Sequence, residues 1–370
     1  MVFAKLKISK VLGTSKFGRQ NLTFSEHHPT PIPTKPTELL IRILYTDLNP
    51  VDHHKLNMKA DGTPTPAAPF IVGYGGSGIV ESISSDNADE QSVQLLNKQV
   101  CFLADPGKDG SYAQYIVVDR RLVAVIPEGV PLEEAACIPV AGITAFESLE
   151  KVGLPVYGTN HGVTPIMSSP SGDKYRLLII GGAGGVGSWA TQLARSTYGS
   201  NIEIVCTTGS QESSDWCKKM GANVTIAHDE IETKLGTGPK GSCDSIICLV
   251  EPTASLFASM AEVLRQYGKI CLVVAGDGIK SLDMSFVFFK CGTVCTETVF
   301  SSIRCGYYID QANEMRIILE ALQRGKVNAP LSDAWEEDKA DWRTASVEGE
   351  YIDMVGSGHV KGKLVMKIGE

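Results

Sequence analysis

Residues Tyr175-Arg176-Leu177-Leu178-Ile179-Ile180 form a short apolar run that leads directly into Gly181-Gly182-Ala183-Gly184-Gly185-Val186-Gly187. An apolar run of this length reads as a strand buried on both faces, as in a parallel sheet. The glycine stretch contains G-x-G-x-x-G at Gly182, Gly184 and Gly187, and Ser188 to Arg195 then carries apolar residues at helical spacing. Strand, glycine turn and helix in that order are the context in which this motif binds a dinucleotide. Gly182 permits the tight turn, Gly184 lets a pyrophosphate approach the backbone, and Gly187 lets the helix pack close to the strand. The backbone of Gly185 and Val186 then belongs to a helix N-terminus, whose free N–H groups and partial positive charge suit phosphate. A glycine-rich turn in some other α/β protein would share the glycines, but here the motif and both flanks agree.

From Tyr175 onward strand-like and helix-like segments alternate. Ile202–Thr207, Asn223–Ala227, Cys243–Val250 and Lys269–Val274 read as strands, and Ser213–Met220 and Thr253–Gln266 as helices. Strict alternation predicts a doubly wound parallel sheet. The first third has another texture. Val2–Ile8 alternates like a strand, and Glu38–Tyr45 reads as a strand after a proline-rich turn. Asn49-Pro50-Val51-Asp52 reads as the turn that ends it, Pro69–Ile83 as a glycine-bent strand, and Asp86–Gln91 as a polar loop. Gln99–Leu103 and Tyr112–Val118 look like further strands, so this part predicts a small β-rich, barrel-like domain. Glu133–Ile138 and Ala141–Leu149 read as helices, and Gly153–Asp173 as a loop. Asp310–Arg324 reads as a helix and Lys361–Ile368 as a strand that returns to the first domain.

The 370 residues suffice for about two domains. A net charge of −8 offers no basic surface for nucleic acid, and no apolar run reaches the roughly 18 residues of a membrane helix. Ten cysteines scattered through apolar segments read as free thiols in a reducing compartment, hence a cytoplasmic location.

Taken in order, several pieces carry a resemblance: Asn49-Pro50-Val51-Asp52, Ala141-Gly142-Ile143-Thr144-Ala145, the mid-chain glycine stretch, Leu282-Asp283-Met284, and the closing Gly362-Lys363-Leu364-Val365. With the β-rich first third they resemble the medium-chain dehydrogenase/reductases, specifically the zinc-free quinone oxidoreductase and zinc-type alcohol dehydrogenase-like branch. The resemblance covers nearly the whole chain. It implies a GroES-like domain over 1–139, completed by 304–370, and a Rossmann domain over 140–303, with substrate and nicotinamide in the cleft between them. It also implies that Thr144 and Lys363 contact the cofactor; an ordinary helix threonine and a solvated strand lysine are the alternatives.

A catalytic zinc needs about three Cys, His or Glu ligands. The family's zinc enzymes place a Cys where this chain has Asp47-Leu48-Asn49-Pro50, and a Gly-His-Glu motif where it has Gly73-Tyr74-Gly75. The four close cysteines of the structural zinc lobe are missing, with only Cys101 between Ser84 and Tyr112. Cys291 and Cys295 read as core thiols. His53-His54 is set aside because neighbours on a strand face opposite ways. No metal is therefore expected. Without a Lewis acid, a simple alcohol is hard to oxidise, whereas a quinone or conjugated enone accepts hydride readily. Tyr45, Tyr74 and Tyr112 are candidates to hydrogen-bond the substrate oxygen, Tyr74 first because it stands at a lost ligand position; the alternative for each is a packed tyrosine. Asn49 and Asp52 are candidates for the nicotinamide end, or are only turn residues.

An NAD site usually has an Asp or Glu after the second strand. Here Ile204-Val205-Cys206 leads to Thr207-Thr208-Gly209-Ser210, where hydroxyls of Thr208, Ser210 and Ser213, backed by Lys218 or Lys219, could accept a 2′-phosphate. Glu212 weighs against this, and Ser210 and Ser213 also suit a helix cap. NADPH is the expected cofactor. The expected function is reduction of a quinone or enone. A non-catalytic cofactor-binding scaffold and an alcohol dehydrogenase with atypical zinc ligands are the alternatives. A homodimer is expected, with Val294–Phe300 as an edge strand that pairs across it.

Overall fold

The computed structural model describes residues 8–59, 62–66, 69–84, 88–156, 174–237, 241–306, 310–343 and 350–369. The chain divides into two compact units. One comprises Met1–Val140, Phe300–Gly325 and Ala329–Glu370; the other comprises Ala141–Val299 and Lys326–Asn328.

The first unit is built on antiparallel strands. β1 (Ile8–Gly13) pairs with β2 (Thr23–Pro29) as a separate ribbon. The main sheet runs β14-β3-β4-β5-β7, from β14 (Leu364–Lys367), β3 (Glu38–Leu48), β4 (Gly75–Ile83), β5 (Gln99–Leu103) and β7 (Val123–Val125). β6 (Tyr115–Asp119) also pairs with β3, at Glu38–Arg42, while β14 takes the same edge further along, at Tyr45–Leu48. β3 is buried almost throughout. A strand covered on both faces reads as a continuous apolar run, which explains Leu39-Leu40-Ile41 and Ile43-Leu44 without alternation. Short helices α1 (Pro50–Leu56), α2 (Glu90–Leu95) and α3 (Leu132–Ala136) fill the connections.

The second unit opens with α4 (Pro139–Lys151), whose first two residues count with the first unit. Its sheet is wholly parallel, in the order β10-β9-β8-β11-β12-β13. The strands are β8 (Tyr175–Ile180), β9 (Ile202–Thr207), β10 (Val224–Ile226), β11 (Cys243–Cys248), β12 (Leu264–Leu272) and β13 (Thr293–Thr296). Helices α5 (Gly185–Tyr198), α6 (Gln211–Lys219), α7 (Ile231–Leu235), α8 (Ala254–Val263) and α9 (Ser285–Phe289) intervene. Leu178, Ile180, Val205, Ile246, Phe257 and Met260 are central to one face's core. Strand order reverses between β8 and β11, the switch point where sheets of this type bind ligands. α10 (Ser301–Cys305) and α11 (Gln311–Gln323) belong to the first unit.

Several expectations are corrected. Asn49–Asp52 does not simply end a strand; it opens α1, with Asn49 as N-cap and proline in the first turn. That placement also puts His53 and His54 on a helix rather than a strand. The polar segment at Asp86–Gln91 ends in α2, capped by Asp89, whose side chain accepts the Ser92 N–H at 2.7 Å. The strand expected from Pro69 begins only at Gly75. The helix expected through Gln266 stops at Val263. Leu264 already pairs with Cys243, and Lys269 with Ser245, so residues 265–268 bulge out, helped by the positive φ of Tyr267. Leu264 is fully buried and suits either period, which hid the boundary. The edge strand β13 spans Thr293–Thr296 and so ends short of the expected Phe300. Cys291 is exposed and Cys295 half-buried, so neither is a core thiol. The strand expected at Val2–Ile8 lies, but for Ile8, outside the described residues, as does most of the Gly153–Asp173 loop.

Candidate functional site

The glycine turn of the second unit is defined by what side chains would strike. Gly181 has φ +80 and donates its N–H to Thr207 Oγ1 at 3.1 Å, tying the turn to the end of β9. A Cβ on Gly182 would lie 2.6 Å from Cys206 Cβ and 3.2 Å from Cys217 Sγ. A Cβ on Gly187 would lie 2.5 Å from the Gly182 carbonyl oxygen, a backbone atom that cannot step aside. Gly184, the N-cap of α5, is different: within 4 Å its Cβ would meet only Gly181 O, at 3.8 Å. The backbone is thus bare on that side. The first-turn N–H groups of α5, at Gly185, Val186 and Gly187, have no acceptor within the helix. Ser188 Oγ donates to Gly184 O at 2.8 Å and accepts from Trp216 Nε1 at 2.8 Å, so α6 pins the start of α5. This cradle fits a pyrophosphate.

Thr208 is buried at the end of β9. Ser210 is the N-cap of α6 and accepts the Ser213 N–H at 3.2 Å, so the capping role is real. Lys218 is a correction. It is exposed in the last turn of α6, about 12 Å along the axis from Ser210, so it does not back those hydroxyls. Thr144 is a buried residue of α4 in the same unit as the glycine turn. The residues missed were Thr207 and Ser188. The signal available for both was a hydroxyl beside the motif glycines, where the backbone needs partners.

The first unit gathers the polar candidates. Lys363, immediately before β14, is buried, and its Nζ donates to Asn49 Oδ1 at 2.5 Å, Leu48 O at 2.8 Å and Asp47 Oδ2 at 3.2 Å. It is no solvated strand lysine: its three donors are all engaged within its own unit. Asp52, at the third position of α1, accepts the Asn49 N–H at 2.7 Å and the Tyr112 hydroxyl at 3.2 Å, both on Oδ2. Tyr74 is buried nearby, its ring 5.1 Å from that of Phe300, and its hydroxyl takes no hydrogen bond among the described residues. Gly73 and Gly75 leave the needed room. A Cβ at Gly73, which has φ +99, would meet the Tyr112 ring at 2.5 Å, and one at Gly75 would lie 2.8 Å from Asp47 Oδ1. The carboxylate of Asp47 thus occupies the space a side chain at Gly75 would need. Tyr45 is another correction. Its hydroxyl turns to Glu337 Oε1 at 3.4 Å, apart from the Asp52 cluster.

Burial, then the neighbouring charge of Asp47, pushes the Asp52 carboxyl up to about 8. Burial followed by the charge of Asp52 raises both Tyr74 and Tyr112 above the ordinary phenol value. Asp52 is therefore largely a neutral acid at neutral pH, and both tyrosines keep their protons. Asp47 Oδ1, Asn49 Nδ2 and Asp52 Oδ1 are buried without a hydrogen-bond partner among the described residues. Unmet polar atoms concentrated in one place are costly unless something polar docks there. Asp47 was the missed member. Its signal was a carboxylate in an otherwise apolar strand, which is rarely buried unless paired. Among the described residues no group of three or more His, Cys, Asp or Glu side chains is arranged to hold a metal ion, and no helix is long and apolar enough to cross a membrane.

Comparison with known proteins agrees with this layout. The family model of the alcohol dehydrogenase GroES-like domain matches residues 35–128, and that of the zinc-binding dehydrogenase domain matches 185–317. A zinc-type alcohol dehydrogenase-like protein of Staphylococcus aureus is 30% identical over 282 residues, 75% of each chain. The 2-methylene-furan-3-one reductase of Solanum lycopersicum is 34% identical over 303 residues, 73% of each. The solved quinone oxidoreductase of Coxiella burnetii superposes with a TM-score of 0.74 at 22% identity, covering 98% of this chain and 100% of that one.

Proposed function

Because the chain belongs to the medium-chain dehydrogenase/reductase superfamily, in its zinc-type alcohol dehydrogenase-like branch, we propose that this oxidoreductase uses NADPH to reduce a quinone or an α,β-unsaturated carbonyl without zinc. The observation that carries this reading is the buried cluster of Asp52, Tyr112, Tyr74, Asn49, Asp47 and Lys363. It gathers a neutral acid and two phenols near an ammonium ion already paired with Asp47, one of the phenols, Tyr74, standing where the family's zinc enzymes carry a histidine.

The coenzyme, when bound, supplies hydride to the conjugated acceptor. The glycine turn and the first turn of α5 hold its phosphates, and Thr208, Ser210 and Ser213 take the 2′-phosphate at a strand end that lacks a carboxylate. Thr144 belongs to the same cofactor set. The product of hydride addition is an oxyanion that needs a proton. Asp52 holds one on Oδ1, the oxygen without a partner, while Oδ2 is fixed by Asn49 and Tyr112. Tyr74 is the hydrogen-bond donor to the substrate oxygen. Lys363 is a positioning residue, since it orients Asn49 and neutralises Asp47. A conjugated acceptor also fits the tomato relative, whose name describes a methylene group conjugated to a ketone.

The same reading includes a cytoplasmic enzyme, in keeping with ten free cysteines, and a homodimer paired through β13. The test is a panel of quinones and enones assayed with NADPH and NADH on protein of measured metal content. NADPH-dependent turnover in metal-free protein is expected. Binding of NADPH without turnover of any acceptor would favour a non-catalytic role, and activity that tracks zinc content would favour an atypical alcohol dehydrogenase.

A further inference from the structure

The cysteines of the second unit include two close pairs. Cys206 and Cys217 lie together behind the glycine turn, where a Cβ on Gly182 would come within 2.7 and 3.2 Å of their sulfurs, and both are fully buried. Cys271 and Cys295 also lie side by side, but their setting differs, and the Cys295 thiol donates to Ile270 O at 3.4 Å. They are direct partners in the parallel register of β12 and β13, and β13 is the sheet's edge. Cys271 is fully buried whereas Cys295 is half-buried. Partners on adjacent strands are about 4.8 Å apart, inside the Cα separation of about 4.4–6.8 Å that a disulfide spans. Both side chains leave the sheet on the same face, since opposed residues of paired strands share a face.

From this geometry we propose that Cys295 and Cys271 form a peroxide-oxidisable dithiol, Cys295 reacting first and Cys271 resolving it to an intrachain disulfide between β12 and β13. The thiolate of Cys295 attacks the peroxide. An S–O bond forms, the O–O bond breaks, hydroxide leaves and takes up a proton as water, and the sulfur is oxidised by two electrons. Cys271 sulfur then attacks Cys295 sulfur. The S–S bond forms, the S–O bond breaks, and the thiol proton leaves with the hydroxyl as a second water. Overall two thiols and one hydrogen peroxide give one disulfide and two waters.

The surroundings favour Cys295 as the attacking sulfur. The neighbouring Cys271 thiol, then Lys151 and Lys269, hold its thiol below the ordinary value, at about 7, against the opposing effects of burial and Glu297. Lys151 Nζ is fixed there by Thr296 O at 2.7 Å and Glu297 Oε2 at 2.5 Å. The neighbouring Cys295 thiol, then burial, push Cys271 up, so it stays protonated until the first step is complete. Cys206 and Cys217 have the contact without the exposure, which makes them an internal control. The thiols sit on a face of the sheet, not on the in-plane edge where a second copy would pair, so a homodimer is compatible with the site.

The experiment treats the intact protein with hydrogen peroxide at neutral pH, blocks remaining thiols and maps the peptides by mass. A Cys271–Cys295 linked peptide, 2 Da lighter and restored by dithiothreitol, is expected while Cys206 and Cys217 stay reduced. In Cys271→Ser a dimedone adduct at Cys295 should replace the link. In the wild-type chain, full alkylation of Cys295 after peroxide has already oxidised the exposed Cys291 and Cys305 would overturn the proposal. So would over-oxidation of Cys295 with Cys271 still reduced.

Discussion

The two units prepare for chemistry in opposite ways. The mouth of the parallel sheet works by subtraction: at Gly182, Gly184 and Gly187 side chains are missing so that backbone can meet backbone, or meet a ligand. The interior of the antiparallel unit works by accumulation, with a lysine, two aspartates, an asparagine and a tyrosine joined below the surface. A glycine turn is cheap to keep, because its requirement is steric and local. A buried charge network holds only as a whole, since each member leaves another unmet when it goes.

The largest effect should come from breaking the accumulated cluster. Lys363→Met leaves the Asp47 carboxylate buried without a cation, and a loss of about 3–5 kcal/mol in unfolding free energy is expected by denaturant titration. Lys363→Met combined with Asp47→Asn should recover part of that loss. Asp52→Asn keeps an oxygen for Asn49 and Tyr112 but removes the acidic proton, so kcat is expected to fall about 10²-fold with little change in coenzyme affinity. The same variant bears on pH. The native Asp52 keeps its proton up to about 8, against an ordinary value of 3.8, so between those limits the native state binds a proton the unfolded chain has released. Wild-type stability should fall as pH rises through that window, and Asp52→Asn should flatten the slope of Tm against pH.

Filling the subtractive site should cost less. Gly187→Ala forces a methyl group against the Gly182 carbonyl, with about 1–3 kcal/mol of destabilisation and a clear loss of NADPH affinity by fluorescence titration. Smallest of all, Ser210→Ala removes the cap of α6 and should cost about 1 kcal/mol. If its NADPH affinity falls no further than its NADH affinity, Ser210 only caps the helix.

The subtractive half was legible in the sequence because its signals are contiguous: β8, the glycines and α5 follow one another within two dozen residues. The accumulated half was legible only in pieces. Asn49, Asp52, Tyr74, Tyr112 and Lys363 could each be singled out, but Asp47 passed as a mere absence of cysteine, and nothing local says that Lys363 meets it. Tyr45 was misplaced because its strand is buried on both faces, and residue type does not tell which face leads to Asp52. Lys218 was misread because it is near Ser210 in sequence yet lies at the other end of α6. The boundary at Leu264 was lost because a fully buried leucine satisfies strand and helix periods equally.

Lys363 sits 316 positions after Asp47. A ribosome must therefore add more than three hundred residues after β3 before its carboxylate meets its counter-ion, and until then that strand carries an uncompensated negative charge. Nascent chains halted before Lys363 should stay protease-sensitive around β3 and become resistant only when β14 emerges.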